Sequence, residues 1–135
     1  SQLAAMLGFG AEEAAFAKVI AWLHDIGRFE QFDTYSTFAD AESENHAGIA
    51  LRVIDKYNLL DGFAEDQIQI IKSTILNHNQ KQVPEGIPKT IDFYSRLLRD
   101  ADKLDIWRVT LQTNIFHTIK NEKLPEKKRF FQLTY

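Results

Sequence analysis

The spacing of apolar residues is helical over most of the chain and shows no sustained alternation. Apolar positions that recur every three to four residues predict helices over residues 11–26, 43–57 and 65–77, and from residue 90 past residue 107. An earlier helix is expected to end near Leu7, and Ser43 is a good N-cap for the helix that follows it. Residues 28–42 and 79–89 are expected to be long connections. The predicted class is all-α.

The length suits one domain, so we expect residues 1–135 to form a single unit. The chain opens with Ser1 inside helical sequence, and we expect its N-terminal helix to be truncated. Residues 120–135 are expected to be a basic tail or the start of a further helix.

Composition narrows the possible partners. The chain is 44% hydrophobic and carries a formal net charge of −3, so it has no general attraction to nucleic acids or anionic membranes. No apolar run approaches the length of a membrane span. Cysteine is absent, which fits a reducing compartment. We therefore expect a cytoplasmic protein with neither a nucleic acid nor a membrane as its partner.

Four helices each direct one acidic or imidazole group along an apolar side. His24 lies one turn after Ile20, His78 continues a stripe of isoleucines, and His46 and Asp102 sit at similar positions on their helices. Buried groups of this kind need partners, and one metal ion can satisfy several of them at once. A single buried histidine is more often a hydrogen-bonded core residue, but the conjunction of four favours a metal site.

The order of these residues matches a known family. The segments "LHDIGRF", "ENHAGIA", "ILNHN" and "LLRDADKLDI" resemble, in that order, the HD-domain superfamily of metal-dependent phosphohydrolases. The resemblance extends from about residue 3 to residue 106. It implies an all-α HD-domain bundle of five or more helices around a metal site.

Carried over by position, the resemblance makes His24 and Asp25 metal ligands, with Asp25 bridging two ions. Asp102 matches the final aspartate ligand of the family, and His46 and His78 match two further histidines of its dinuclear members. The resemblance thus implies two divalent transition-metal ions. Nitrogen and oxygen ligands suit iron, manganese, zinc, cobalt or nickel.

One ligand of the family has no counterpart here. HD domains carry another histidine upstream of the doublet, and no histidine precedes His24 in this sequence. We expect that residue to lie upstream of Ser1. Its true absence would weaken the site.

The resemblance implies hydrolysis of a phosphomonoester or phosphodiester of a nucleotide or similar small molecule. A hydroxide that bridges the two ions would attack phosphorus. The candidate catalytic residues are Asp25, Arg28 and Lys103. The candidate substrate contacts are Arg28, Asn79, Arg99 and Lys103. A surface ion pair for Arg28 and a helix cap for Asn79 are the structural alternatives.

Aromatic side chains recur at steps of three at Phe29, Phe32, Tyr35 and Phe38. The favoured interpretation is a short helical turn that anchors the connection to the core. The alternative is a lid that stacks on a nucleobase.

Two other functions share this ligand set. Some HD-fold proteins are di-iron oxygenases, and a degenerate HD domain could bind a nucleotide or a metal as a sensor without turnover. The oligomeric state is open, with a homodimer as one option.

Overall fold

The computed structural model describes residues 8–120, with side chains described as far as residue 111. The helices in chain order are α1 (Ala11–Leu23), α2 (Gly27–Tyr35), a 3₁₀ turn (Asp40–Glu42), α3 (His46–Lys56), α4 (Glu65–His78) and α5 (Lys89–Lys120). The described residues contain no β-strand, so the prediction of an all-α class is confirmed. The predicted helix before residue 8 and the predicted tail after residue 120 lie outside the described residues.

The segment before α3 differs from the prediction in two ways. The first long helix ends at Leu23 rather than continuing to residue 26, and a three-residue turn separates it from Gly27. Backbone hydrogen bonds from Ile26 to Leu23 and from Arg28 to Asp25 close this turn. Gly27 begins a new helix instead of stopping one, and α2 occupies much of the expected connection.

The cap of α3 and the aromatic turn also need correction. Asn45, not Ser43, caps α3, since its side-chain oxygen accepts a 2.9 Å hydrogen bond from the Ala47 amide. Phe29, Phe32 and Tyr35 do lie on a helix, but they do not anchor it to the core, and Phe38 lies beyond its end. Phe29 is 81% exposed, and Phe32 and Phe38 stack on each other at the surface.

The core lies where α1, α3, α4 and α5 meet. α4 packs against both α3 and α5, while α2 lies on the outer side of α3. The predicted isoleucine stripe of α4 is buried as expected. The main buried apolar side chains are Ile20, Ala47, Ala50, Ile54, Leu60, Ile71, Ile75 and Leu98. This core holds the ends of α1 and α4, the start of α3 and the middle of α5 close to one another.

Within the described residues, no helix combines the length and the apolarity that a bilayer crossing requires.

Candidate metal centre

The five predicted ligands come together from four helices. His24 follows the last residue of α1, and Asp25 lies in the turn after it. His46 is the first residue of α3, and His78 is the last residue of α4. Asp102 projects from the middle of α5 towards His24, with 3.7 Å between its Oδ1 and the His24 Nε2.

Two of the histidines are oriented by their own helices. The Nδ1 of His24 lies 2.7 Å from the Ala21 carbonyl oxygen, and the Nδ1 of His78 lies 2.6 Å from the Ile75 carbonyl oxygen. A carbonyl oxygen only accepts hydrogen bonds, so each Nδ1 carries the proton. In both rings Nε2 is therefore the atom that faces the cluster, and in the neutral form of the ring it carries a lone pair.

His46 is oriented in the same sense by a carboxylate. Its Nδ1 donates to the Asp40 Oδ2 at 2.7 Å, so its Nε2 also faces the cluster. Burial and the charge of Arg28 lower the pKa of His46 despite the nearby carboxylates. Burial lowers the pKa of His78 to about 4. Both rings are neutral at pH 7, and their Nε2 lone pairs meet at 3.0 Å.

This contact between two lone pairs is the feature that fits a cation. Two neutral imidazole nitrogens without a proton between them repel each other. Metal–nitrogen bonds of about 2.0–2.1 Å place two ligating nitrogens roughly 3 Å apart, which is the separation between His46 and His78. The Nε2 of His24 is buried and has no hydrogen-bond partner among the described residues. Ligand atoms of His24, Asp25 and His78 lie within 4.8 Å of one another.

Two carboxylates supply negative charge at the same place. Asp25 spans the cluster, with one oxygen 3.5 Å from the His24 Nε2 and the other 3.5 Å from the His46 Nε2. The neighbouring His24 ring lowers the pKa of Asp102, so this carboxylate is ionised at neutral pH. Burial lowers the pKa of His24, but the carboxylates of Asp102 and Asp25 outweigh it and raise the pKa overall.

Asp40 is a site residue that the sequence analysis missed. Besides His46, its carboxylate accepts hydrogen bonds from Arg28 at 3.0 Å, from Gln31 at 2.9 Å and from Asn79 at 3.3 Å. Burial raises the pKa of Asp40, but its hydrogen bonds from Gln31 and His46 and the charge of Arg28 outweigh this and lower the pKa overall. A carboxylate held in this way fixes the ring orientation of a metal-ligating histidine and raises its basicity.

The network around Asp40 explains the fold of the preceding segment. Gln31 is fully buried, and its amide nitrogen donates to Asp40, to the Ser43 hydroxyl and to the Glu44 carbonyl oxygen. These contacts join α2 to the start of α3 and hold the 3₁₀ turn between them. Apolar periodicity could not reveal a buried glutamine, and the sequence signal was limited to an acidic residue six positions before His46.

The predicted phosphate contacts have different surroundings. The Arg28 guanidinium lies 3.5 Å from Asp25 and also binds Gln31, the Phe38 carbonyl oxygen and Asp40. It is therefore largely committed to the walls of the cluster.

The other three predicted substrate contacts are Asn79, Arg99 and Lys103. Asn79 donates to Asn45 at 2.8 Å as well as to Asp40. Arg99 and Lys103 are brought together along an open groove beside α5.

The fold and the cluster together define an all-α protein in which three histidines and two carboxylates meet at one point suited to a divalent metal. A family model described as HD domain matches residues 1–107, and the chain belongs to the HD-domain family. Members of this family bind divalent metals and are commonly metal-dependent phosphohydrolases. Neither a search of curated proteins nor a search of solved structures gave a match.

Proposed function

We propose that this protein is a metal-dependent phosphohydrolase with two divalent transition-metal ions, acting on a phosphomonoester or phosphodiester of a nucleotide or similar small molecule. The observation that carries the proposal is the convergence of three Nε2 atoms and two carboxylates, with His46 and His78 meeting through their lone pairs. The nitrogen and oxygen donors suit iron, manganese, zinc, cobalt or nickel.

The distances support one division of the ligands between the two ions. His24, Asp25 and Asp102 would hold one ion, while His46 and His78 would hold the other. Asp25 would serve both ions, and its equal separation from the nearest histidine nitrogens supports this role. When bound, the ions would supply Lewis-acid chemistry that neutralises charge on the phosphoryl oxygens and lowers the pKa of water.

The remaining residues of the cluster would position these ligands and the substrate. Arg28 would hold Asp25 through their ion pair, and Asp40 would hold His46 in the tautomer that presents Nε2. In the proposed substrate complex, Asn79, Arg99 and Lys103 are the contacts for the phosphorylated molecule.

Metal content and phosphoesterase activity test this proposal together. Full-chain protein purified without chelator is analysed for metal, and p-nitrophenyl phosphate and bis(p-nitrophenyl) phosphate serve as monoester and diester probes. We expect close to two ions per chain and hydrolysis of at least one probe. Asp25→Ala should lose both the metal and the activity. Asp33→Ala, at an exposed carboxylate on α2, should lose neither.

Two results would overturn the proposal. One ion or none per chain, unchanged by Asp25→Ala, would remove the two-metal site and favour a binding module. Two iron ions with oxygen consumption and no phosphoester hydrolysis would replace the hydrolase with the oxygenase alternative.

A further inference from the structure

An open groove runs beside the metal centre between α5 and the connection that follows α4. Its volume is about 570 Å³, within the range of pockets that bind small molecules. Its charged lining consists of Lys81, Arg96, Arg99 and Lys103, with Glu85 and Asp100 as the acidic members. Positive side chains outnumber negative ones two to one, although the whole chain carries a net negative charge.

Each wall of this groove carries a residue that is close in sequence to a candidate metal ligand. On one wall, His78 ends α4 and Lys81 follows three residues later. On the other wall, Lys103 is the next residue after Asp102, and Arg99 lies nearly one helical turn before it. The groove is therefore lined by residues that are close in sequence to His78 and Asp102.

The positive charge in the groove is available to a ligand. Among the residues that the structure describes, neither Lys81 nor Lys103 forms a salt bridge. Arg99 donates from Nη2 to the Lys81 carbonyl oxygen at 3.1 Å, which fastens the connection to α5. Its other guanidinium donors form no hydrogen bond with any described residue. Arg96 is paired with Asp92.

Arg28, the cation in contact with the cluster, is not available to a ligand in the same way. Arg28 is bound to two carboxylates, a side-chain amide and a carbonyl oxygen. Releasing it towards a substrate would break these contacts and leave Asp40 with less of its compensating charge. Among the cations named above, those of the groove are therefore the ones with donors left for an anionic ligand.

We propose that this groove binds a second phosphate of the substrate, so that the substrate class is a small molecule with at least two separate phosphates. One phosphate would lie at the metal centre, and the other would contact Lys81, Arg99 and Lys103. This inference rests on the proposed function for the position of the first phosphate. Ionised donors in a groove favour the dianionic phosphate over a neutral group of the same size.

The test compares two ligands that differ by one phosphate. Fructose 1,6-bisphosphate and fructose 6-phosphate are titrated calorimetrically into the metal-loaded full chain. We expect the bisphosphate to bind at least about tenfold more tightly, as one additional charge-assisted contact provides. The advantage should shrink as salt is raised, because the groove is open to solvent.

Two double lysine variants test whether the groove is the source of the tighter binding of the bisphosphate. Lys81→Gln with Lys103→Gln removes two charges whose side chains form no ion pair in the described part of the chain, and should reduce the ratio of affinities to about twofold. Lys18→Gln with Lys56→Gln makes the same charge change on exposed helix positions outside the groove and should leave the ratio unchanged. Circular dichroism confirms that all samples are folded.

The possible outcomes separate this inference from the proposed function. The groove assignment would be overturned if the ratio of bisphosphate to monophosphate affinity were near one in the unaltered protein. It would also be overturned if the ratio survived Lys81→Gln with Lys103→Gln, or fell equally in both double variants. If p-nitrophenyl phosphate is hydrolysed but the ratio is near one, the hydrolase stands and the groove fails. A high ratio that depends on the groove lysines, without any hydrolysis, supports the groove and counts against the hydrolase.

Discussion

Gly27 is the position where the smallest change should have a large effect. It begins α2 and lies directly against the backbone of α3. A Cβ added there would overlap the His46 carbonyl oxygen and lie 2.5 Å from the Ala50 amide nitrogen. Ordinary carbon contacts begin near 3.5 Å, so α2 would have to move outwards by about 1 Å. The atoms in the way belong to the backbone and cannot rotate aside.

The expected cost of Gly27→Ala follows from two opposing effects. Overpacking in a well-packed interior costs about 1–3 kcal/mol and more when backbone must move. Alanine gains up to about 1 kcal/mol in helix propensity over glycine, and less at the first residue of a helix. We therefore expect the free energy of unfolding to fall by about 2–3 kcal/mol, a large share of the roughly 5–15 kcal/mol typical of a domain.

The assay is urea unfolding of Gly27→Ala, with a metal titration of the folded protein. The overlap is with His46 itself, so we expect metal affinity to fall by about tenfold, as when the support of a ligating histidine is disturbed. Gly48→Ala is the matched control, since a Cβ at Gly48 meets nothing closer than the Glu44 carboxylate at 3.9 Å. That variant should be neutral or stabilising by up to about 1 kcal/mol. If Gly27→Ala is as stable as Gly48→Ala, the close approach of α2 to α3 is refuted.

Two further predictions concern polar groups of the metal centre. Asp40→Asn keeps the size of the side chain but removes its charge, and should weaken metal binding by about tenfold in a competition titration. Asp55→Asn, which alters an exposed carboxylate paired with Lys72, should leave metal binding unchanged, and equal losses in the two variants would refute a positioning role. In chelator-treated protein, stability should fall as the pH drops from 6.5 towards 4, because the unfolded chain takes up the proton that His78, with its pKa lowered to about 4, rejects. The full shift corresponds to about 3 kcal/mol; the lowered pKa of His46 adds to the loss, and the raised pKa of His24 partly offsets it. Urea unfolding at pH 7 and pH 4.5 measures the loss, and an equally steep loss in His78→Gln would contradict its assignment to this ring.

The local sequence pattern alone was sufficient to predict the all-α class and the inward-facing positions of most residues of the cluster. A helix repeats every 3.6 residues, so the side of α4 that carries Ile71 and Ile75 also determines that His78 faces inwards. The same reasoning placed His46 on the inward face of α3 and Asp102 on the inward face of α5. Family resemblance then added Asp25, which no periodicity could single out. These predictions depended on neighbours a few residues away, which a sequence displays directly.

The tertiary structure alone decided the features that depend on contacts between distant segments. Gly27 reads as a helix stop in the sequence, yet its role is to let α2 approach the backbone of α3. Gln31 looks like a surface residue, but Ser43 and Glu44 enclose it and complete its hydrogen bonds. Asp40 reaches His46 only because that network holds the 3₁₀ turn in place. A polar side chain can be buried wherever its partners are supplied, and those partners came from segments whose arrangement the local pattern does not encode.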